Sequence, residues 1–304
     1  MEEFSLFDLP IELLIEILNF LDVCEKLVLT KVSRNFRELI GRQNLGIQRL
    51  TINGFEKKVH LVMDNVKISY EGTEDENTIV GNGKQSKIIE VDPYELAAID
   101  LANLVKYAKF QLEELNIIDY CSFLKKENPA KTRFMRMIES VLRANSPLTV
   151  KYVCIRSVER LPEILEHLKP GDLEKIELFS PEDFETFERM CEMEQWRQAK
   201  HLRMNTFHFA LPIEHLLNFR YLELPLQFIS REEAMMLLKS RNLESIEIWL
   251  VFPINMVEFA EIFGAVITDV SQQRVKVTYT VPETNMKFQI TLLSHSIKIM
   301  KCFD

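Results

Sequence analysis

Along residues 11–21, IELLIEILNFL, eight of eleven positions are apolar and only Glu12, Glu16 and Asn19 are not. At about 100° per residue those three share one stripe roughly 60° wide, so most of the circumference of such a helix is apolar. A surface helix ordinarily shows the reverse, a narrow apolar stripe on a polar cylinder. Pro10 suits a first helical position and Glu12 a first turn, and the spacing predicts an end near Asp22. Two further short helices are predicted, over about Glu25–Val32 and Arg34–Ile40, ahead of Gly41.

From residue 47 the texture changes to a six-residue pattern, apolar-x-x-apolar-x-apolar. It recurs as IQRLTI (47–52), LEELNI (112–117), VKYVCI (150–155), LEKIEL (173–178), AKHLRM (199–204), FRYLEL (219–224) and LESIEI (243–248). The last five begin 23, 26, 20 and 24 residues apart, within the period of leucine-rich repeats. Helix signals lie between them: Ser180-Pro181-Glu182-Asp183 as a cap, Ser230 to Glu233 as a capping box, and a stripe of Phe134, Ile138, Val141 and Leu142. Strand, helix and parallel strand in repetition predict an α/β solenoid, irregular because the asparagine or cysteine that ladders ordinary repeats is missing.

In each pattern the fourth and sixth positions point to the core and the third, fifth and seventh face out. The outward set includes Tyr, Trp, Phe and Arg, the types enriched at binding hot spots. Tyr152, Arg156, Phe179, Arg203, Tyr221 and Trp249 are the expected target-binding patch. Residues 53–108 interrupt the array with a hairpin at Asp64-Asn65, an exposed mobile loop over 71–87, a strand KIIEVD and a helix over Pro93–Phe110. VKVTYTV-PETN-MKFQITLL reads as a C-terminal hairpin capping the open end of the sheet.

The balance of 37 basic against 46 acidic residues, net −9, provides no basic field to collect phosphates and excludes nucleic acid as main partner. Cys24, Cys121, Cys154, Cys191 and Cys302 lie far apart without a CxxC, which reads as idle thiols in a reducing compartment. No apolar run approaches the length of a membrane span, and MEEFSL lacks a secretory apolar region. A cytoplasmic or nuclear location, or both, is the expectation. GxSxG, HExxH and the P-loop are absent: GNGKQ at 81–85 has Thr78 where the first glycine belongs. His201, His208 and His215 recur every seven residues, but no carboxylate or cysteine pair converges on them in sequence. No metal, cofactor or enzymatic activity is expected.

Three helices in about 40 residues cannot enclose one of their own number on all sides. The uncovered apolar surface predicts a protein interface. The stretch LFDLPIELLIEILNFLDVCEKLVLTKVSRNFRELI resembles an F-box, through Leu9-Pro10, Glu12-Leu13, Ile17-Leu18, Leu21, Leu27, Val32-Ser33-Arg34 and Phe36. The resemblance implies docking onto the Skp-type adaptor of an SCF-type cullin–RING E3 ubiquitin ligase, and through it to a cullin. Matched positions Leu6, Leu9, Pro10, Ile17, Leu18 and Leu21 form the implied adaptor contact, with Phe36 bracing the trio internally.

LKPGDLEKIEL followed by MEQWRQAKHLRM resembles the FTH domain of nematode F-box proteins, from about 95 to 270 and most strongly over 165–250. Asn218-Phe219 departs from the His-Phe of that family. The FTH region implies a protein-interaction module. The expected architecture is therefore α/β: a small three-helix F-box at 1–48, then an irregular leucine-rich-repeat-like α/β solenoid at 49–304 with a C-terminal hairpin. The expected function is a non-catalytic substrate-recognition subunit holding an unknown target protein. The alternative is an interaction scaffold that binds the adaptor without promoting ubiquitination.

Overall fold

The 3.6-residue period at the N-terminus and the 2-residue period after it both become elements. The computed structural model describes residues 6–41, 46–75, 77–83, 85–106, 111–120, 129–157, 160–179, 183–205, 211–256, 259–260, 266–271 and 274–302. Both compact units of the chain, Met1–Val150 and Lys151–Asp304, are mixed α/β.

In the first unit a 3-10 turn, Leu6–Asp8, precedes α1 (Ile11–Asn19), α2 (Val23–Val32) and α3 (Arg34–Gly41). α1 ends at Asn19, short of Asp22, which caps the second helix. The Asp22 carboxylate accepts the Glu25 N–H at 2.8 Å, and the Glu25 carboxylate accepts the Asp22 N–H at 2.9 Å. This reciprocal cap satisfies two otherwise orphaned donors.

Then come β1 (Arg49–Phe55), β2 (Lys58–Met63), β3 (Val66–Gly72), β4 (Thr78–Gly81), β5 (Ser86–Ile89), α4 (Pro93–Val105), β6 (Gln111–Asp119) and α5 (Pro129–Ala144). Their strand order is β6-β1-β2-β3-β4-β5. β1 and β6 are parallel with Leu50 opposite Leu115 and Ile52 opposite Ile117, so the matching pattern positions align. β1 to β5 form an antiparallel meander whose β2–β3 turn lies at Asp64-Asn65 as expected. The expected loop over 71–87 is corrected: β3 ends in it, all of β4 lies in it and β5 begins in it. Glycines and acidic residues disguised it, but pairing with β3 satisfies the backbone and Thr78 is wholly buried. α4 packs on β2 and β3, and α5 on β1 and β6. The stripe Phe134, Ile138, Val141 and Leu142 is buried as predicted.

The second unit contains β7 (Thr149–Arg156), α6 (Leu161–Leu165), β8 (Lys175–Leu178), α7 (Phe184–Glu192), α8 (Glu194–Gln198), β9 (His201–Met204), β10 (Tyr221–Leu226), α9 (Arg231–Lys239) and β11 (Ser245–Leu250). β12 (Val266–Ser271), β13 (Arg274–Thr280), β14 (Lys287–Leu293) and β15 (Ser296–Lys301) complete it. β7 to β11 neighbour one another in sequence order and run parallel. Val153, Ile176, Leu202, Leu222 and Ile246 form one buried row across them, and Ile155, Leu178, Met204, Leu224 and Ile248 the next. Phe187, Trp196, Leu216 and Leu237, from the intervening helical segments, are buried as well.

Ser230 and Glu233 form the predicted capping box. The cap expected at Ser180 lies outside the described residues; α7 is instead capped by Asp183, which accepts the Thr186 N–H at 2.8 Å. The C-terminal hairpin β13–β14 is present, but it does not cap the parallel array directly. β15 lies between it and β11, because the last six-residue strand returns antiparallel alongside Ser245–Trp249.

Candidate protein-binding surfaces

On α1, Leu14 and Leu18 turn inward and are buried with Phe36 and Ile40, and the Phe7 ring packs 4.6 Å from Phe36. Phe36 therefore braces the helices from inside. The adjoining face stays open: Leu13, Ile17 and Phe20 fall on one stripe by helical spacing, and Phe20 is 90% exposed. Leu6 and Ile11 extend the same uncovered apolar character.

Of the expected contact residues, Leu6, Pro10 and Ile17 are exposed, and Leu9 and Leu21 are half-buried. Leu18 is corrected. At 0% exposure it cannot reach a partner, since one residue on from Ile17 its side chain points about 100° away, into the helical core. Ile11, Leu13 and Phe20, outside the expected set, are exposed as well, and Leu13 and Phe20 stand four and three residues from Ile17.

In the second unit, third-position residues Tyr152, Lys175, His201, Tyr221 and Ser245 align across β7–β11. Beside them run Cys154, Glu177, Arg203, Glu223 and Glu247. This face is a braced polar network. The Tyr152 hydroxyl donates to Glu177 Oε2 at 2.6 Å, Arg156 pairs with Glu177 Oε1 at 3.7 Å, and Lys175 Nζ sits 4.8 Å over the Tyr152 ring. Burial works against charge on Glu177, yet hydrogen bonds from Tyr152 and Asn205, with Arg203 and Lys175 nearby, hold its carboxyl below the ordinary range. His201 contacts Glu223 Oε1 at 2.8 Å and Arg203 pairs with Glu223 Oε2 at 3.6 Å. Burial and Lys175 push the His201 imidazole down despite Glu223.

The expected patch is thus split by the structure. Tyr152, Arg203 and Phe179 are half-buried, whereas Arg156, Tyr221 and Trp249 are exposed. Tyr221 donates its hydroxyl to Glu244. Glu177, 4% exposed, breaks the rule that fifth positions face out. Phe228, Val251 and Phe252, missed in the pattern because they follow the strands, are exposed just beyond the C-terminal ends of β10 and β11.

Among the described residues no group of three or more His, Cys, Asp or Glu side chains is placed to hold a metal; His208 lies outside them. Burial, with Glu188 and Glu192, pushes the Cys191 thiol up to about 12, and burial with Glu177 also raises Cys154. Both are poor nucleophiles at neutral pH.

Comparison with known families matches residues 6–48 to the F-box domain and residues 132–266 to the FTH domain. The chain carries an F-box and an FTH domain. It is 24% identical over 297 residues to F-box A protein 224 of Caenorhabditis elegans, covering 94% of this chain and 76% of that relative. No solved structure matches the chain. The F-box match spans the 3-10 turn and α1–α3, so the exposed Leu13–Ile17–Phe20 stripe belongs to the F-box. The FTH match takes in β7–β11 and the helices between them. An F-box implies binding to a Skp-type adaptor, and the pair of domains supports a substrate-recognition adaptor and points to an interaction protein.

Proposed function

We propose that this chain is the substrate-recognition subunit of an SCF-type cullin–RING E3 ubiquitin ligase. The F-box, as domain 1–48, binds the Skp adaptor and through it a cullin; residues 49–304, an irregular leucine-rich-repeat-like α/β solenoid in this reading, bind a target protein. The observation that carries the reading is the uncovered stripe of Leu13, Ile17 and Phe20 on a helix whose adjoining face, Leu14 and Leu18, is already packed. Tethering then acts by proximity, raising the target's effective concentration near the ubiquitin-loaded enzyme. The exposed Arg156, Tyr221 and Trp249 are the residues of the target-binding face best placed to reach a partner. A cytoplasmic or nuclear location accords with this role.

Co-purification with the Skp adaptor tests the first half. Ile17→Asp and Phe20→Asp in the full chain are expected to reduce adaptor capture at least tenfold with far-UV circular dichroism unchanged; retention at wild-type levels refutes this interface. For the second half, proteins labelled by proximity are compared between wild type and Ile17→Asp. A captured protein that accumulates in the variant supports a receptor, whereas captured proteins at unchanged abundance support the scaffold.

A further inference from the structure

A cavity of about 830 Å³ opens in the first unit between the F-box helices α2 and α3 and the meander with its covering helix α4. This lies within the roughly 300–1,000 Å³ of small-molecule sites. Its floor is apolar and finished: Leu61, Met63 and Leu104 line it although almost nothing of them is exposed. Leu27 and Val28 of α2 supply the facing apolar wall.

The charged groups of the lining are unequal in number. Tyr70, also lining the cavity, gives its hydroxyl to Asp100 Oδ2 at 2.9 Å, so the acid is engaged. Arg37, Lys87 and Lys106 contribute three cations to the lining against the single Asp100 carboxylate. Arg37 spends its Nε on the Thr30 carbonyl at 2.8 Å, and no ion pair to an acidic side chain joins any of the three among the described residues. An apolar chamber with an excess of unpaired cations in its lining is complementary to a molecule that is apolar along its length and negative at one end. We propose that this cavity binds a single-chain amphiphile with an anionic head group, its chain over Leu61, Met63 and Leu104 and its head among Arg37, Lys87 and Lys106.

Equilibrium dialysis of the purified full chain tests this with four probes of one chain length, each below its micelle concentration: dodecanoate, dodecyl phosphate, dodecanol and dodecylammonium. At least one anion is expected to saturate at one per chain, at least tenfold tighter than dodecylammonium. Which anion is tighter distinguishes a carboxylate ligand from a phosphate one. Lys87→Glu with Lys106→Glu, both at exposed positions, should weaken the anion at least tenfold and leave dodecanol unchanged. Val28→Trp, replacing an exposed wall residue, should weaken all four probes by narrowing the chamber. Absent or unsaturable anion binding, equal binding of dodecylammonium, or indifference to the charge reversals overturns the proposal.

Discussion

The Tyr152 hydroxyl donates to Glu177 Oε2 at 2.6 Å across the neighbouring parallel strands β7 and β8, and Glu177 is buried there as a carboxylate. A hydrogen bond to a charged group contributes about 1.5–3 kcal/mol. Tyr152→Phe is therefore expected to destabilise the second unit by that order at pH 7, measured by urea denaturation. The folded carboxyl sits below the ordinary 4.5, so its contribution is present above that value and lost as pH falls through the folded pKa. The difference between wild type and Tyr152→Phe should accordingly shrink in acid; a constant difference at every pH would point to lost packing instead.

Neighbouring residues of α1 should behave oppositely. Ile17→Ala removes an exposed side chain and is expected to change stability by no more than about 0.5 kcal/mol. Leu18→Ala empties a wholly buried site and is expected to cost about 2–5 kcal/mol. Thermal melts of the two variants decide between them, and similar losses would mean that the inward and outward faces are misassigned.

Gly54 of β1 has no room for a side chain, since a Cβ there would lie 2.6 Å from the Phe134 ring of α5. Phe134 is itself wholly buried and cannot swing away. Gly54→Ala should cost about 1–3 kcal/mol by overpacking, and adding Phe134→Leu should recover part of it. Additive losses in the double variant would show that the two do not meet.

His60 on β2 is pushed down to about 4, chiefly by burial and further by Lys67 and Lys58, against the pull of Glu71. With the folded value below the ordinary 6.5, the unfolded chain takes the proton first. Stability from this group is complete above about 6.5 and declines as pH falls towards 4. His60→Gln should flatten that decline, seen as urea midpoints converging between pH 7 and pH 4; an unchanged slope would assign it to other groups.

Local signals were legible where local chemistry decides. The capping box at Ser230 and Glu233, the Asp64-Asn65 turn and the Phe134–Leu142 stripe each follow from spacing and turn chemistry within a few residues. The strand 78–81 was not legible, because Thr78 and Gly81 are held by pairing with β3, and composition alone does not reveal a pairing partner. Likewise spacing places an end of the first helix near Asp22 but does not show that Asp22 caps the second, which its bond to Glu25 decides.

The amino-acid order by itself determined that α1 carries more apolar surface than a polar face can hide, and that Leu202 and Leu222 belong to a core. Those conclusions rest on periodicity, which a single element carries along its own length. Which side of α1 stays open, that Glu177 rather than an apolar residue lies buried among Tyr152, Arg156 and Asn205, and that a cationic chamber stands between α2 and β2–β5 were decided by tertiary structure alone. Each depends on residues far apart in the chain meeting in space, and burial is a property of that meeting.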